Sequence, residues 1–249
     1  MSLSGTGTRD ISNNTFSNLS GNAITFGQNA TVSHNIITNV CMGLANCAAI
    51  TNSLQDIGQD ALDLSANVQE NFITNVGTGI TYSTYQLDGI LLDTLSRSVQ
   101  VTGNTISNAQ TAITIMNGRF HTISNNTIYN PRTYGIRVVE DGSTYTGVVQ
   151  SNAINNNTIL TYNPDYSMVR VEDKVDNIGT LATFLNNTYL NTYKPKLPII
   201  EVLENGGDSA QIDKSNLSLV DASASNFTYF GYKTYTSTGS YSGSSLITN

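Results

Sequence analysis

One six-residue pattern recurs along this chain and constrains what it can fold into. It runs apolar residue, two variable residues, Asn, any residue, then another apolar residue. It reads Ile11-Ser-Asn-Asn14-Thr-Phe16, Val32-Ser-His-Asn35-Ile-Ile37, Val68-Gln-Glu-Asn71-Phe-Ile73 and Val101-Thr-Gly-Asn104-Thr-Ile106. It returns as Ile123-Ser-Asn-Asn126-Thr-Ile128, Ile154-Asn-Asn-Asn157-Thr-Ile159 and Phe184-Leu-Asn-Asn187-Thr-Tyr189. A weaker copy, Ala49-Ile-Thr-Asn52-Ser-Leu54, fills the largest gap. The Asn positions step by 21, 17, 19, 33, 22, 31 and 30 residues. The base unit is therefore about 20 residues with insertions of roughly ten, and self-similarity of this kind means a stack of units.

The period selects the stack. Helical repeats need about 30 residues or more per unit, and these segments are rich in Ile, Val, Thr and Tyr rather than Leu, Glu and Lys. Alternation dominates: in Gly135-Ile-Arg-Val-Val139, Ile136 and Val138 point one way, Arg137 and Val139 the other. The Leu-x-x-Leu-x-Leu of a leucine-rich horseshoe is absent. What remains is an all-β coil of short parallel strands, eight to ten coils in all. Asn tolerates the left-handed backbone of a sharp corner and can bond backbone groups there. Asn residues at matching corners would stack as an amide ladder at the strand spacing of about 4.8 Å, giving a rod on the order of 40 Å long.

The Asn-Thr-Ile unit is followed seven to nine residues later by Gly-Ile or Ala-Ile, as at Gly79-Ile80, Ala112-Ile113 and Gly135-Ile136, with Gly21-Asn-Ala-Ile24 a variant. With that pairing, residues 10 to 190 resemble the right-handed parallel β-helix of the pectate lyase-like superfamily of polysaccharide lyases, epimerases, hydrolases and tailspikes. The resemblance implies an extracellular protein that binds or processes an acidic polysaccharide along one sheet. Its alternative is a non-catalytic structural or adhesive solenoid, such as a surface-protein, fibre or phage-spike segment. It also implies a secreted or cell- or virion-surface location.

Residues 1–10 read as an appended or disordered start, 11–193 as the β-helix, and 194–249 as the last coils and a Tyr-, Ser- and Gly-rich cap or tail, with Pro195 and Pro198 marking the boundary. No capping helix precedes Ile11, so the expectation is a preceding cap in a longer exported protein, or self-association over the open end. The net charge of −7 with 11 dispersed Lys and Arg argues against a nucleic-acid partner. No apolar run is long enough to span a bilayer. Cys41 and Cys47 lie six apart; a disulfide needs the chain to bend between them, extended geometry would part them, and buried thiols fit as well.

Only residues that break the repeat can argue for chemistry. Aligned on the residue after each Gly-Ile, an outward column collects Thr25, Asp63, Thr81, Leu91, Thr114, Arg137 and Arg170, and the column two residues on adds Asp93 and Glu172. Asp60 and Asp88 adjoin at strand starts. The resemblance implies a catalytic set of Asp63, Asp93, Arg137 and Arg170, because proton abstraction beside a uronate carboxylate needs a cation and a base. Asp63 and Asp93 are the candidate Ca²⁺ ligands, calcium being the one cofactor that the resemblance suggests. Asp60, Asp88, Glu172, Tyr82, Tyr85 and Tyr134 complete the candidate substrate contacts, the Tyr rings offering apolar faces to sugar C–H groups. The competing reading is that stacked Asp and Arg are surface ion pairs worth about 0–1 kcal/mol each. His34 and His121 have no evident triad partner and read as polar coil residues.

Overall fold

The computed structural model describes residues 9–52, 62–79, 86–93, 96–140, 149, 151–163, 165–173, 181–191, 200–205, 219–220, 229–235 and 241–248. They form a right-handed parallel β-helix with three long sheets of eight, seven and nine strands. The eight-stranded sheet runs from Arg9–Ser12 to Leu219–Val220, and the seven-stranded sheet from Thr15–Ser17 to Thr188–Asn191. The nine-stranded sheet begins at Ile24–Phe26 and closes with Tyr229–Tyr235 and Tyr241–Thr248, the last pair antiparallel and all earlier pairs parallel. Pairing starts at Arg9 and Asp10, which align with Ala30 and Thr31. No helix among the described residues is long and apolar enough to cross a membrane.

The apolar ends of the hexad become the core. Ile11, Val32, Val68, Val101, Ile123, Ile154 and Phe184 form one inward column. Ile37, Ile73, Ile106, Ile128 and Ile159 form a second, and Ile24, Ile50, Ile90, Ile113, Ile136 and Val169 a third. Every one of these residues is buried, at roughly 1.5–3 kcal/mol each relative to exposure. In the first coil, too, Ile11, Ala23, Ile24 and Phe26 are enclosed. The small residue ahead of the third column has a steric cause. A Cβ on Gly89 would meet Ala112 O at 2.6 Å and Ile106 Cγ2 at 2.8 Å, and one on Gly135 would meet Ile159 Cγ2 at 2.7 Å.

Between the first two sheets runs the amide ladder. The Nδ2 of Asn14, Asn35, Asn71, Asn104, Asn126 and Asn157 each donates to the Oδ1 of the next rung, ending at Asn187, over 2.9–3.1 Å. Each of those backbone N–H groups also donates to the same Oδ1, so every acceptor is doubly used. Two expectations are corrected. Asn52 is not a rung: Cys47–Asn52 is a strand of the nine-stranded sheet, and Asn35 bonds directly to Asn71. The left-handed backbone belongs to the residue before each rung, as at Asn13, His34, Glu70, Asn125, Asn156 and Asn186. The ladder Asn is chosen for its amide; its predecessor makes the corner.

One feature went unread in the sequence, and one reading left open there is decided. A second ladder joins Asn18, Asn39, Asn75, Asn108 and Asn130 at the far end of the seven-stranded sheet, each rung left-handed and donating back to the one before. Cys41 and Cys47 are joined by a disulfide with Cα atoms 5.6 Å apart. The bend that a disulfide requires is present: Cys41 and Asn46 are both left-handed, which folds the intervening loop back on itself.

Candidate functional site

The outward column of the nine-stranded sheet reads Thr25, Thr51, Leu91, Thr114, Arg137, Arg170 and Glu201 in register. Two residues on, Met116, Val139, Glu172 and Leu203 align. Arg137, Arg170 and Glu172 are thus brought together as expected. Glu172 Oε1 accepts Arg137 Nε at 2.7 Å and lies 2.9 Å from Arg170 Nε. Arg170 Nη1 approaches Glu201 at 3.8 Å and donates to the Tyr134 hydroxyl. The Arg170 guanidinium stands 5.1 Å from the Tyr134 ring centroid, and Tyr166 meets that ring edge-on at 6.1 Å. The two carboxylates are 5% exposed, the arginines about a fifth, so the acids lie beneath and the guanidinium groups nearer the solvent. Burial pushes the Tyr134 phenol up, and the Arg170 charge opposes the rise.

Arg137 differs from its neighbour. Among the described residues only its Nε–H donates a hydrogen bond, leaving both terminal nitrogens as donors, the planar fork that binds a carboxylate in bidentate fashion. Asp88 lies on the same face, in register with Thr111, which in turn aligns with Tyr134. Its carboxyl is fully enclosed; Oδ1 accepts the Thr114 hydroxyl at 2.9 Å. The Gln86 amide lies near, but neither its Nε2 nor Asp88 Oδ2 completes a hydrogen bond of good geometry. Loss of solvation pushes Asp88 up to about 7, against the pull of Gln86, Thr114 and Arg137 and with a push from Asp93.

The remaining candidates scatter. Asp63 does not stand in the outward column, where Thr51 takes its rung. It pairs with Arg97 in a separate two-stranded sheet, at 3.7 Å between the charged groups, and accepts Ser65 N and Oγ at 3.2 and 2.9 Å. Asp93 ends the Leu87–Leu92 strand, its backbone N–H and C=O bonded to Asn52. Asp63 and Asp93 thus belong to different segments of the coil, and no group of three or more His, Cys, Asp or Glu able to hold a metal forms among the described residues. Asp60, Tyr82, Tyr85 and Thr81 lie outside the described residues. His121 is buried, accepting Val99 N–H at Nδ1 and facing Ser96 Oγ from Nε2; burial lowers it to about 3, so it stays neutral. His34 meets Glu70 at 2.5 Å on the surface.

Sequence reasoning missed Thr114 as the hydroxyl that fixes Asp88, and Glu201 as the second buried acid under the arginines. Thr114 already stood in the outward column, one coil before Arg137, and its bond to Asp88 left no sequence signal; Glu201 stands in that column one coil after Arg170, where strict register would have found it. No family model, curated protein or solved structure matches this chain.

Proposed function

We propose that this β-helix binds an acidic polysaccharide along the outward face of the nine-stranded sheet, centred on Arg137, Arg170, Tyr134 and Glu172, outside the cell or on a cell or virion surface. The observation that carries the reading is Arg137: Glu172 anchors it through Nε while its terminal fork faces outward without an engaged partner among the described residues. Such an anchored fork is preorganised for a uronate carboxylate, and Tyr134 and Tyr166 supply ring surface beside it. The disulfide supports an oxidising compartment.

The second reading, a structural or adhesive solenoid, draws on one observation: Arg137 and Arg170 share Glu172, and Glu201 approaches Arg170, so much of the charge is compensated within the chain. Titration calorimetry with polygalacturonate, alginate and neutral dextran separates the two. The binding reading expects affinity for the uronates that weakens with salt and falls about tenfold or more in Arg137→Gln. Equal indifference to all three polymers would leave the solenoid reading standing. New ultraviolet absorbance from unsaturated ends on incubation with either uronate would add processing to binding.

A further inference from the structure

A second basic site lies around the corner from that face. The corner that leads from the nine-stranded sheet into the eight-stranded one has left-handed backbone in every described coil, and its occupants are Asn29, Ser65, Ser98, Phe120 and Ser151. Four are small and polar, as a tight left-handed corner requires. Phe120 breaks the rule: it holds φ +57° with its ring 47% exposed. A bulky aromatic is costly in that conformation, and half exposure returns little of the cost through burial. Nothing in the coil calls for it.

The residue before it supplies charge. Arg119 aligns with Arg97 one coil earlier, stacking two like charges at about 4.8 Å of coil spacing. Arg97 is answered by Asp63, whereas no carboxylate meets Arg119 among the described residues; its guanidinium sits 5.8 Å from the Phe120 ring centroid, its Nε buried and without a hydrogen bond. Arg119 follows Thr111–Met116, and Thr114 of that strand aligns with Arg137 on the next coil. Four successive coils therefore each place an arginine on this corner or this sheet: Arg97 and Arg119 at the corner, Arg137 and Arg170 on the sheet.

We infer that Arg119 and Phe120 form an accessory subsite for a carboxylated sugar unit, the ring taking the apolar C–H face of the sugar and Arg119, with Arg97, its carboxylate. This rests on the reading of the sheet face as a polyuronate site and extends it by one corner. The ring provides a rigid apolar platform at low entropic cost, and the uncompensated cation supplies selection for acidic over neutral sugar.

Phe120→Asn gives the decisive variant, because Asn suits the left-handed corner. Calorimetry with polygalacturonate and dextran is run on the wild type, Phe120→Asn, Arg119→Gln and Arg137→Gln, with the melting temperature of each. The subsite predicts that Phe120→Asn melts at or above the wild-type temperature yet binds polygalacturonate about three- to tenfold more weakly. Arg119→Gln should weaken binding similarly and flatten its salt dependence. Unchanged affinity in both corner variants, with a loss in Arg137→Gln, would overturn the subsite and leave the sheet site standing. A lowered melting temperature in Phe120→Asn would make the ring structural and overturn the subsite as well. Failure of the wild type to bind polygalacturonate would remove the subsite and the sheet site together.

Discussion

The seven-stranded and nine-stranded sheets share seven coils and the same aliphatic core, yet their outward faces differ in kind. The first presents Thr15, Ile36, Phe72, Thr105, Thr127, Thr158 and Thr188, then Ser17, Thr38, Thr74, Ser107, Tyr129, Leu160 and Leu190, without one charged residue. The second presents Asp88, Arg137, Arg170, Glu172 and Glu201. A parallel coil is therefore stable with a face of Thr and Ser, and the charges are not a demand of the fold. In a chain with only 12% charged residues, their gathering on one face needs a reason outside the scaffold.

The comparison breaks most visibly at the ladder, which belongs to the scaffold and not to either face. Asn104→Ala should cost about 5 kcal/mol in denaturant unfolding, because it leaves the Asn71 N–H and the Val68 carbonyl without their buried partners and removes one of the two donors to Asn126 Oδ1. Asn108→Ala in the second, more exposed ladder should cost under about 1 kcal/mol. Equal costs would mean that the rungs are not what holds the coils in register.

Asp88 gives the next largest effect, on the charged face alone. Its folded value is raised, from 3.8 to about 7, so between those values the unfolded chain has released the proton while the folded chain still holds it. Stability from this group is full below pH about 4 and lost as pH rises through about 7, at most about 4 kcal/mol. His121, lowered from 6.5 to about 3, runs the other way: its contribution is present above 6.5 and lost as pH falls toward 3. The two oppose each other between about pH 4 and 6.5, giving a plateau there and a further decline of under about 1 kcal/mol by pH about 7. Asp88→Asn should replace the plateau with a rise in stability up to pH about 6.5, the limb due to His121 alone. An unchanged plateau in urea unfolding at several pH values would contradict the burial of Asp88.

Glu172→Gln is expected to cost less, about 2 kcal/mol, since Arg137 and Arg170 keep about a fifth of their surface in water. It should also loosen the Arg137 fork and weaken uronate binding, whereas Asn104→Ala should leave the affinity of the remaining folded protein unchanged. Parallel losses of stability and affinity in both variants would erase the distinction between scaffold and face.

The ladder was legible because its amide must recur at every coil, and a recurring residue type leaves a period. The corner beside it was read one residue late, since Asn at 13, 125, 156 and 186 stands next to Asn at the rung and the two roles share a letter. One misassignment cost the site its register. Taking Ala49–Leu54 as a ladder copy left the nine-stranded sheet short of a strand, and Asp63 was drawn in where Thr51 stands. The second ladder carried a signal, Asn four residues after each rung from Asn14 to Asn126, that was masked by the abundance of Asn. The pKa of Asp88 was illegible in principle, because enclosure is a property of the packed coil and not of Leu87-Asp-Gly-Ile90.

The most direct test of the functional face is hydroxyl-radical footprinting of tyrosines with and without polygalacturonate. Tyr166 stands against Tyr134 on the charged face, whereas Tyr129 and Tyr162 are joined through their hydroxyls, with Tyr129 on the uncharged one; Tyr129, Tyr162 and Tyr166 are comparably exposed. A uronate site on the charged face predicts protection of Tyr134 and Tyr166 on adding the polymer, with Tyr129 and Tyr162 oxidised as before. Protection of Tyr129 and Tyr162 instead, or of none of the four, would contradict it.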